Sequence, residues 1–217
     1  MPIEDLIAGY QKFRTEEFPQ LKKHFRLLAN RQAPEVLFIT CADSRIVPSL
    51  ILQTEPGDLF LCRNAGNIVP PFGQFAGGTS ATIEYAVEVL GVKHIILCGH
   101  SDCGACKAAL APQKIAEQLP LTSQWLHFIE AAWDYLDPVF ADPEKRKDQE
   151  ALHTALIHAN IRAQVSHLKT HPEVQRGMAE GRLEVHGWYY DILTGLVEVW
   201  EDKGERFVPL ESFAKKE

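Results

Sequence analysis

Three short apolar runs constrain this chain more than any other feature: EVLFIT at 35–40, DLFLCRN at 58–64 and HIILCG at 94–99. Each has strand length; EVLFIT, apolar and partly β-branched, reads as a buried strand, and DLFLCRN and HIILCG as a second and a third strand. A Pro56-Gly57 turn introduces the second. Between the second and third lies GGTSATIEYAVEVLGV. It opens with glycines, offers Thr79 or Ser80 as an N-cap, buries Ile83, Ala86, Val87 and Leu90 at helical spacing, and ends at Gly91. Strand, crossover and strand again is the rhythm of a parallel sheet covered by helices.

The flanks complete an α/β class. Residues 3–30 read as two helices, with apolar positions Ile3, Leu6, Ile7, Tyr10 and Phe13, then Phe18, Leu21, Phe25 and Leu28, and Pro19 at the start of the second. The stretch 104–180 is mostly helical, punctuated by Pro112, Pro120, Pro138 and Pro143, and its EKRKDQE charge run (144–150) reads as a solvated helix start. RLEVHGWYYDILTGLVEVW (182–200) alternates around Leu193-Thr194-Gly195 and predicts a hairpin. The expected architecture is a mostly parallel central sheet with flanking helices, an N-terminal helical arm over 1–33, and a single α/β domain over 34–217 carrying a C-terminal antiparallel edge hairpin.

Composition excludes several classes. With 217 residues, 46% of them hydrophobic, the chain can bury a core. Its 22 basic and 29 acidic side chains leave a net charge of -7, which argues against a nucleic-acid partner. No apolar run approaches the roughly 20 residues of a membrane span, and the N-terminus has no basic-then-apolar signal pattern, so a cytoplasmic protein is expected. Five cysteines, an odd number, favour metal binding or catalysis over a disulfide framework.

Cys41-Ala42-Asp43-Ser44-Arg45 begins where the first strand ends, and His100-Ser101-Asp102-Cys103 begins where the third ends. Functional groups of open α/β sheets gather beyond the carboxyl ends of the strands. Neighbouring strands lie about 5 Å apart, so side chains there can converge on one ion. Two thiolates and an imidazole suit Zn²⁺, and three protein ligands leave a fourth position for water. Asp43 can alternatively supply a fourth ligand and close the site. Arg45, two residues on, argues that Asp43 is already engaged in a bidentate pair, from which it could orient a metal-bound hydroxide by accepting its hydrogen bond. Taken singly, a cysteine at a strand end is ordinarily a small buried hydrophobe, and Cys62 and Cys98 are read as packing residues. Cys103-Gly104-Ala105-Cys106 also spells a thioredoxin-like redox motif, but Cys41 competes for Cys103.

In CADSR (41–45), EPGDLFLCRNAGN (55–67), GGTSATIEYAV (77–87), ILCGHSDCGA (96–105) and HGWYYDILTG (186–195), in this order and spacing, the chain resembles the plant-type β-class carbonic anhydrases, and looks especially close to the bacterial cyanate-operon type. The resemblance implies one Zn²⁺ per subunit on Cys41, His100 and Cys103, with Asp43 and Arg45 as a dyad. It makes Gln32 an amide donor facing the substrate, and Phe60 and Tyr85 apolar walls contributed by a partner subunit. Ala65 stands where plant enzymes carry valine, with Gly66 beside it. A homodimer or a larger assembly follows, clasped by the N-terminal helices. Phe38 replaces the tryptophan that accompanies Arg63 and Tyr190 in members with an inhibitory bicarbonate site, so that switch is expected to be weak or absent.

The implied reaction is reversible hydration of CO₂ to bicarbonate and a proton by zinc-bound hydroxide, a use of zinc whose standard illustration is carbonic anhydrase itself. Two thiolates leave zinc less positive than three neutral imidazoles would, so its water should be less acidic. The expected outcome is a kcat/KM that rises above neutral pH, checked by a stopped-flow pH–rate profile.

Overall fold

The computed structural model describes residues 1–213, which fall into two compact units, Met1–Ala33 and a second that begins at Pro34. The first holds α1 (Ile3–Lys12), a π-helical turn (Phe13–Glu17) and α2 (Phe18–Leu28), with Pro19 in the first turn of α2. Phe18 packs against Phe13 and Phe25, with ring centroids 5.9 and 5.5 Å away. No residue of these helices is buried, and Ile3, Leu6, Ile7 and Tyr10 of α1 are all more than half exposed.

The second unit is built on a six-stranded sheet in the order β2-β1-β3-β4-β5-β6. Its strands are β1 (Val36–Cys41), β2 (Leu59–Asn64), β3 (His94–His100), β4 (Glu184–Tyr190), β5 (Val197–Glu201) and β6 (Arg206–Pro209). The first four are parallel, and β5 and β6 add antiparallel at one edge. The helices are α3 (Pro48–Leu52), α4 (Gly78–Tyr85), α5 (Gly104–Ala109), α6 (Pro112–Gln118), α7 (Pro120–Leu126), α8 (Gln149–Leu168), α9 (Pro172–Ala179) and the short α10 (Leu210–Phe213). No helix among the described residues is long and apolar enough to cross a membrane.

Alternation along the strands divides the core. Leu37, Ile39, Ile95 and Leu97 face the helical layer and are fully buried, while Phe38, Ile96 and Cys98 form a smaller cluster on the other face with Trp188 and Tyr190. The helical layer is dominated by α8, which buries residues all round, including Leu156, Ile157 and Ile161. Its close seating depends on two glycines. A Cβ on Gly99 would stand 2.7 Å from Ile161 Cγ1, and one on Gly187 3.0 Å from Ile161 Cγ2. Asp148, inside the predicted charge run, caps α8 by accepting from the Ala151 N–H at 3.0 Å, and a short 3₁₀ turn over Lys145–Lys147 precedes it.

One sequence expectation needs correction. The helix after the glycines starts at Gly78, with Gly77 as N-cap and no side-chain cap. Thr79 is one residue inside the helix and buried, where its hydroxyl receives an Asn64 Nδ2–H at 3.2 Å, and Ser80 donates back to the Phe75 carbonyl. The helix also widens into a π turn over Ala86–Leu90 before Gly91 ends it in the left-handed region (φ +66°). The predicted hairpin is present, its turn closed by the Gly195 N–H on the Asp191 carbonyl, and it is extended by β6. That strand has four residues and ends in Pro209, which is tolerated only at a sheet edge, so it gave little periodic signal.

His158 on α8 sits between the Tyr189 and Phe207 rings, both with centroids 4.5 Å away, and its buried Nε2 has no hydrogen-bond partner. Burial lowers its pKa from the ordinary 6.5 to about 4. The unfolded chain therefore binds the extra proton first. The stabilising contribution is complete above pH 6.5 and is lost as pH falls toward 4, a change on the order of 3 kcal/mol. The expected outcome is that His158→Phe flattens the pH 4–6.5 stability slope relative to wild type, measured by denaturant unfolding at a series of pH values.

Candidate metal centre

The chain connects β1 to β2 on one side while β3 pairs on the other. The carboxyl ends of β1 and β3 therefore flank a topological switch point, the crevice where α/β sheets bind ligands. Cys41 is the last residue of β1 and His100 the last of β3. A tight turn follows, with Asp102 in the left-handed region (φ 52°), and returns Cys103 to the start of α5. The Cys41 and Cys103 Sγ atoms and a His100 ring nitrogen all lie within 4.8 Å of one another, and all three residues are buried.

Their hydrogen bonding fits a cation. His100 Nδ1 is 2.8 Å from the Ser101 carbonyl, which can only accept, so Nδ1 carries the proton and Nε2 keeps its lone pair. That Nε2 is buried without a hydrogen-bond partner. Contact with the Cys103 thiol, together with burial, pushes Cys41 up to about 12. The neighbouring Cys106 thiol and burial raise Cys103 likewise to about 12. Two thiolates side by side in this place need a positive partner, and an imidazole lone pair joins them. That donor set suits a borderline-soft divalent ion such as zinc. The Gly66 N–H also points at Cys41 Sγ, 3.4 Å away.

Beside these donors, Arg45 organises the two loops. Its Nε and Nη2 donate to Asp43 Oδ1 at 2.9 Å and Oδ2 at 2.8 Å, a bidentate pair, and its backbone N–H adds a bond to Oδ1 at 2.9 Å. The Arg45 guanidinium consequently holds the Asp43 carboxyl far below the usual carboxylate range. The same guanidinium reaches across to the β3 loop, donating from Nη1 to Asp102 Oδ2 at 3.1 Å and from Nη2 to the Asp102 carbonyl at 3.2 Å. From β2, Arg63 donates to the carbonyls of Cys41 (3.0 Å) and Asp43 (2.7 Å). In the sequence Arg63 stands out only as a bicarbonate-site residue, and neither Asp102 nor His153 is singled out. Asp102 was visible inside the HSDC motif, but its partner is 57 positions away. His153 Nε2, 2.9 Å from the Cys103 carbonyl, gave no local signal.

A buried polar row on α8 positions the loop after β2. Asn160 donates to the Gly66 carbonyl at 3.1 Å. Gln164 accepts from the Val69 N–H at 2.9 Å and donates to the Phe128 carbonyl at 2.9 Å. Exposed Ala65 accepts the Trp125 indole N–H at 2.8 Å.

Phe60 and Tyr85 stand together, with ring centroids 5.9 Å apart. Phe60 is four residues back along β2 from Asn64, the partner of Cys41, which is roughly 13 Å of strand. Gln32 is exposed and belongs to the N-terminal unit. Cys62 and Cys98 pack in the core on opposite faces of the sheet, and Cys106 is fully buried on the inner face of α5.

Gly66 has φ +81°, and a Cβ there would stand 2.9 Å from Ala105 Cβ. Gly73 has nearly the same φ, +82°, with nothing within 4 Å. Gly66→Ala should therefore destabilise by about 1–2 kcal/mol more than Gly73→Ala, the contact adding to a shared backbone cost. Paired urea melts measure the difference.

Comparison with known proteins agrees with this geometry. Residues 36–197 match the carbonic anhydrase family model. A carbonic anhydrase of Pseudomonas aeruginosa is 46% identical over 208 residues, covering 96% of this chain and 92% of that protein. The structure of the beta-carbonic anhydrase CcaA superposes with a TM-score of 0.90 at 40% identity, over 95% of this chain and 98% of that one. A structure from work on two tetrameric beta-carbonic anhydrases of Sordaria macrospora gives a TM-score of 0.70 at 34% identity, over 90% and 92%. With the family model spanning most of the α/β unit and the same fold recurring at this identity, the chain belongs to the β-class carbonic anhydrases.

Proposed function

We propose that this chain is a zinc enzyme that hydrates CO₂ reversibly to bicarbonate and a proton. The observation that carries the reading is the buried convergence of Cys41, His100 and Cys103, with the orphaned His100 Nε2 among them. These three residues would hold one Zn²⁺ per subunit. Zinc bound there supplies Lewis-acid activation of water, the effect for which carbonic anhydrase is the general illustration.

The protein's own groups divide the remaining work. Asp43, kept ionised by Arg45, can only accept a hydrogen bond. It therefore orients a proton-bearing nucleophile and disfavours ligands without a proton. Arg45 touches Asp43 and Asp102 and is a positioning residue, joining the loop after β1 to the loop after β3. The Gly66 N–H stabilises negative charge on Cys41 Sγ. Gln32 is assigned the amide donor to the oxygen that gains charge as CO₂ is attacked. Phe60 and Tyr85, offered by a second subunit, with Ala65 and Gly66, form a narrow apolar wall suited to a small apolar substrate.

The active form is proposed to be a homo-oligomer, at least a dimer. The exposed apolar stripe of α1 and the roughly 13 Å of strand between Phe60 and the level of Cys41 both favour a site completed by a partner. The Sordaria macrospora work describes tetrameric beta-carbonic anhydrases. A cytoplasmic setting suits five cysteines held as free thiols. Bicarbonate inhibition through the Phe38 region is proposed to be weak. Phe38 is packed edge-on to Trp188 at 6.2 Å and brings no N–H donor, while Arg63 is spent on the Cys41 and Asp43 carbonyls.

Stopped-flow CO₂ hydration with parallel zinc analysis tests the proposal. Wild type should carry one zinc per chain and accelerate hydration. Arg45→Ala should lose roughly tenfold or more in kcat/KM, because an unheld Asp43 no longer orients the nucleophile. A metal-free, inactive wild type would sink the reading, and an Arg45→Ala variant with full activity would remove Arg45 from it.

A further inference from the structure

A second group of metal-binding side chains lies at the other end of the same strands. His94 is the first residue of β3 and Glu184 the first of β4. The parallel register sets His94 beside Glu184 and Ile96 beside His186. Residues two apart on a strand share a face, so His94, Glu184 and His186 project from the same side of the sheet. Their ligand atoms form a nearly equilateral triangle. His94 Nδ1 is 3.4 Å from Glu184 Oε2, His186 Nε2 is 3.5 Å from that same oxygen, and the two ring nitrogens are 3.4 Å apart.

A tetrahedral ion with ligand bonds of about 2.1 Å separates its ligand atoms by roughly 3.4 Å. The triangle already has that size, so an ion could seat on it with little movement of the backbone. Ordinary surface ion pairing does not require two imidazole nitrogens to face one another across one carboxylate oxygen. Two imidazoles and a carboxylate are the donor set of borderline divalent transition ions, in contrast to the thiolate-rich set at the carboxyl end. We propose that His94, Glu184 and His186 form a second site for a divalent first-row transition ion of the zinc type.

Its surroundings agree. The His94 and Glu184 side chains are 41% and 63% exposed, so an ion reaches them from solvent, while His186 at 19% is held more firmly. The rings of His94 and His186 are tilted by 39° with centroids 5.6 Å apart, and Phe213 of α10 lies against His186 at 6.3 Å. The neighbouring Lys93 ammonium is paired with Glu35, so its charge is offset where the ion would sit. Occupancy would tie the first residue of β3 to β4 and raise folded-state stability by mass action.

The test uses the zinc-loaded enzyme, titrated with additional Zn²⁺ by calorimetry and equilibrium dialysis. Wild type should take up one equivalent per chain beyond the resident metal, and that metal should raise its Tm. His186→Ala should weaken the extra uptake by at least about tenfold, the lower end of the cost of losing even an outer-shell partner. Glu184→Gln, which keeps size and shape, should do the same, and both should lose the Tm rise. Both variants should retain wild-type circular dichroism and CO₂ hydration, which separates loss of this site from misfolding and from failure of the catalytic reading. No extra uptake by wild type, or extra uptake that both substitutions leave unchanged, overturns the proposal.

Discussion

The parallel pairing of β1 with β3 is the constraint on which the rest depends. It brings Cys41 and His100, 59 positions apart, to adjacent strand ends on either side of the switch point. The register is held by burial. Leu37, Ile39, Ile95 and Leu97 are wholly inaccessible to solvent on the helical face, and a slip of one residue would turn every one of them to the other face. The same slip would carry Cys41 away from Cys103. Apolar packing therefore sets the placement of the metal donors, and the donors do not have to set it themselves.

Burial then creates an electrostatic problem that the loops resolve. Two thiols forced together away from water resist ionisation, and a histidine nitrogen among them has no partner. A cation satisfies all three at once, which is why the arrangement reads as a metal centre and not as core packing. Around it, Arg45 and Arg63 spend their donors on Asp43, Asp102 and the Cys41 and Asp43 carbonyls. Both loops are thereby tied to the sheet through charge-assisted bonds, and Asp43 is left ionised with its orientation set. Asn160 and Gln164 do the equivalent work from α8, holding the backbone around Gly66 whose N–H meets Cys41.

How much of this was legible depended on the range of the interaction. Strands β1 and β3 announced themselves through short apolar runs, because a strand covered on both faces must be apolar throughout, whereas β2 at the sheet edge leaves Leu61 exposed. CADSR and HSDC were legible because position relative to a strand end is a local property. Asp102, His153 and the α8 polar row were not, since the backbone and side chains they hold lie 36 or more positions away. Thr79 was misread as a cap because its composition suits either role, and only the tertiary neighbour Asn64 decided that its hydroxyl faces inward. The four-residue strand β6 was too short to show a period, and its pairing with β5 is what makes it a strand.

The amino-acid sequence by itself determined the class of fold, the strands that carry the chemistry, and the three residues able to bind a soft divalent ion. These follow from periodicity and from the intrinsic chemistry of thiol and imidazole, which need no knowledge of the rest of the chain. Only the tertiary structure decided that the three donors meet, that Arg45 joins two loops through both Asp43 and Asp102, and that His94, Glu184 and His186 gather at the opposite end. The reason is physical. Which side chains become neighbours is set by how strands pair and how α8 seats on Gly99 and Gly187, and that outcome belongs to the packing of the whole sheet.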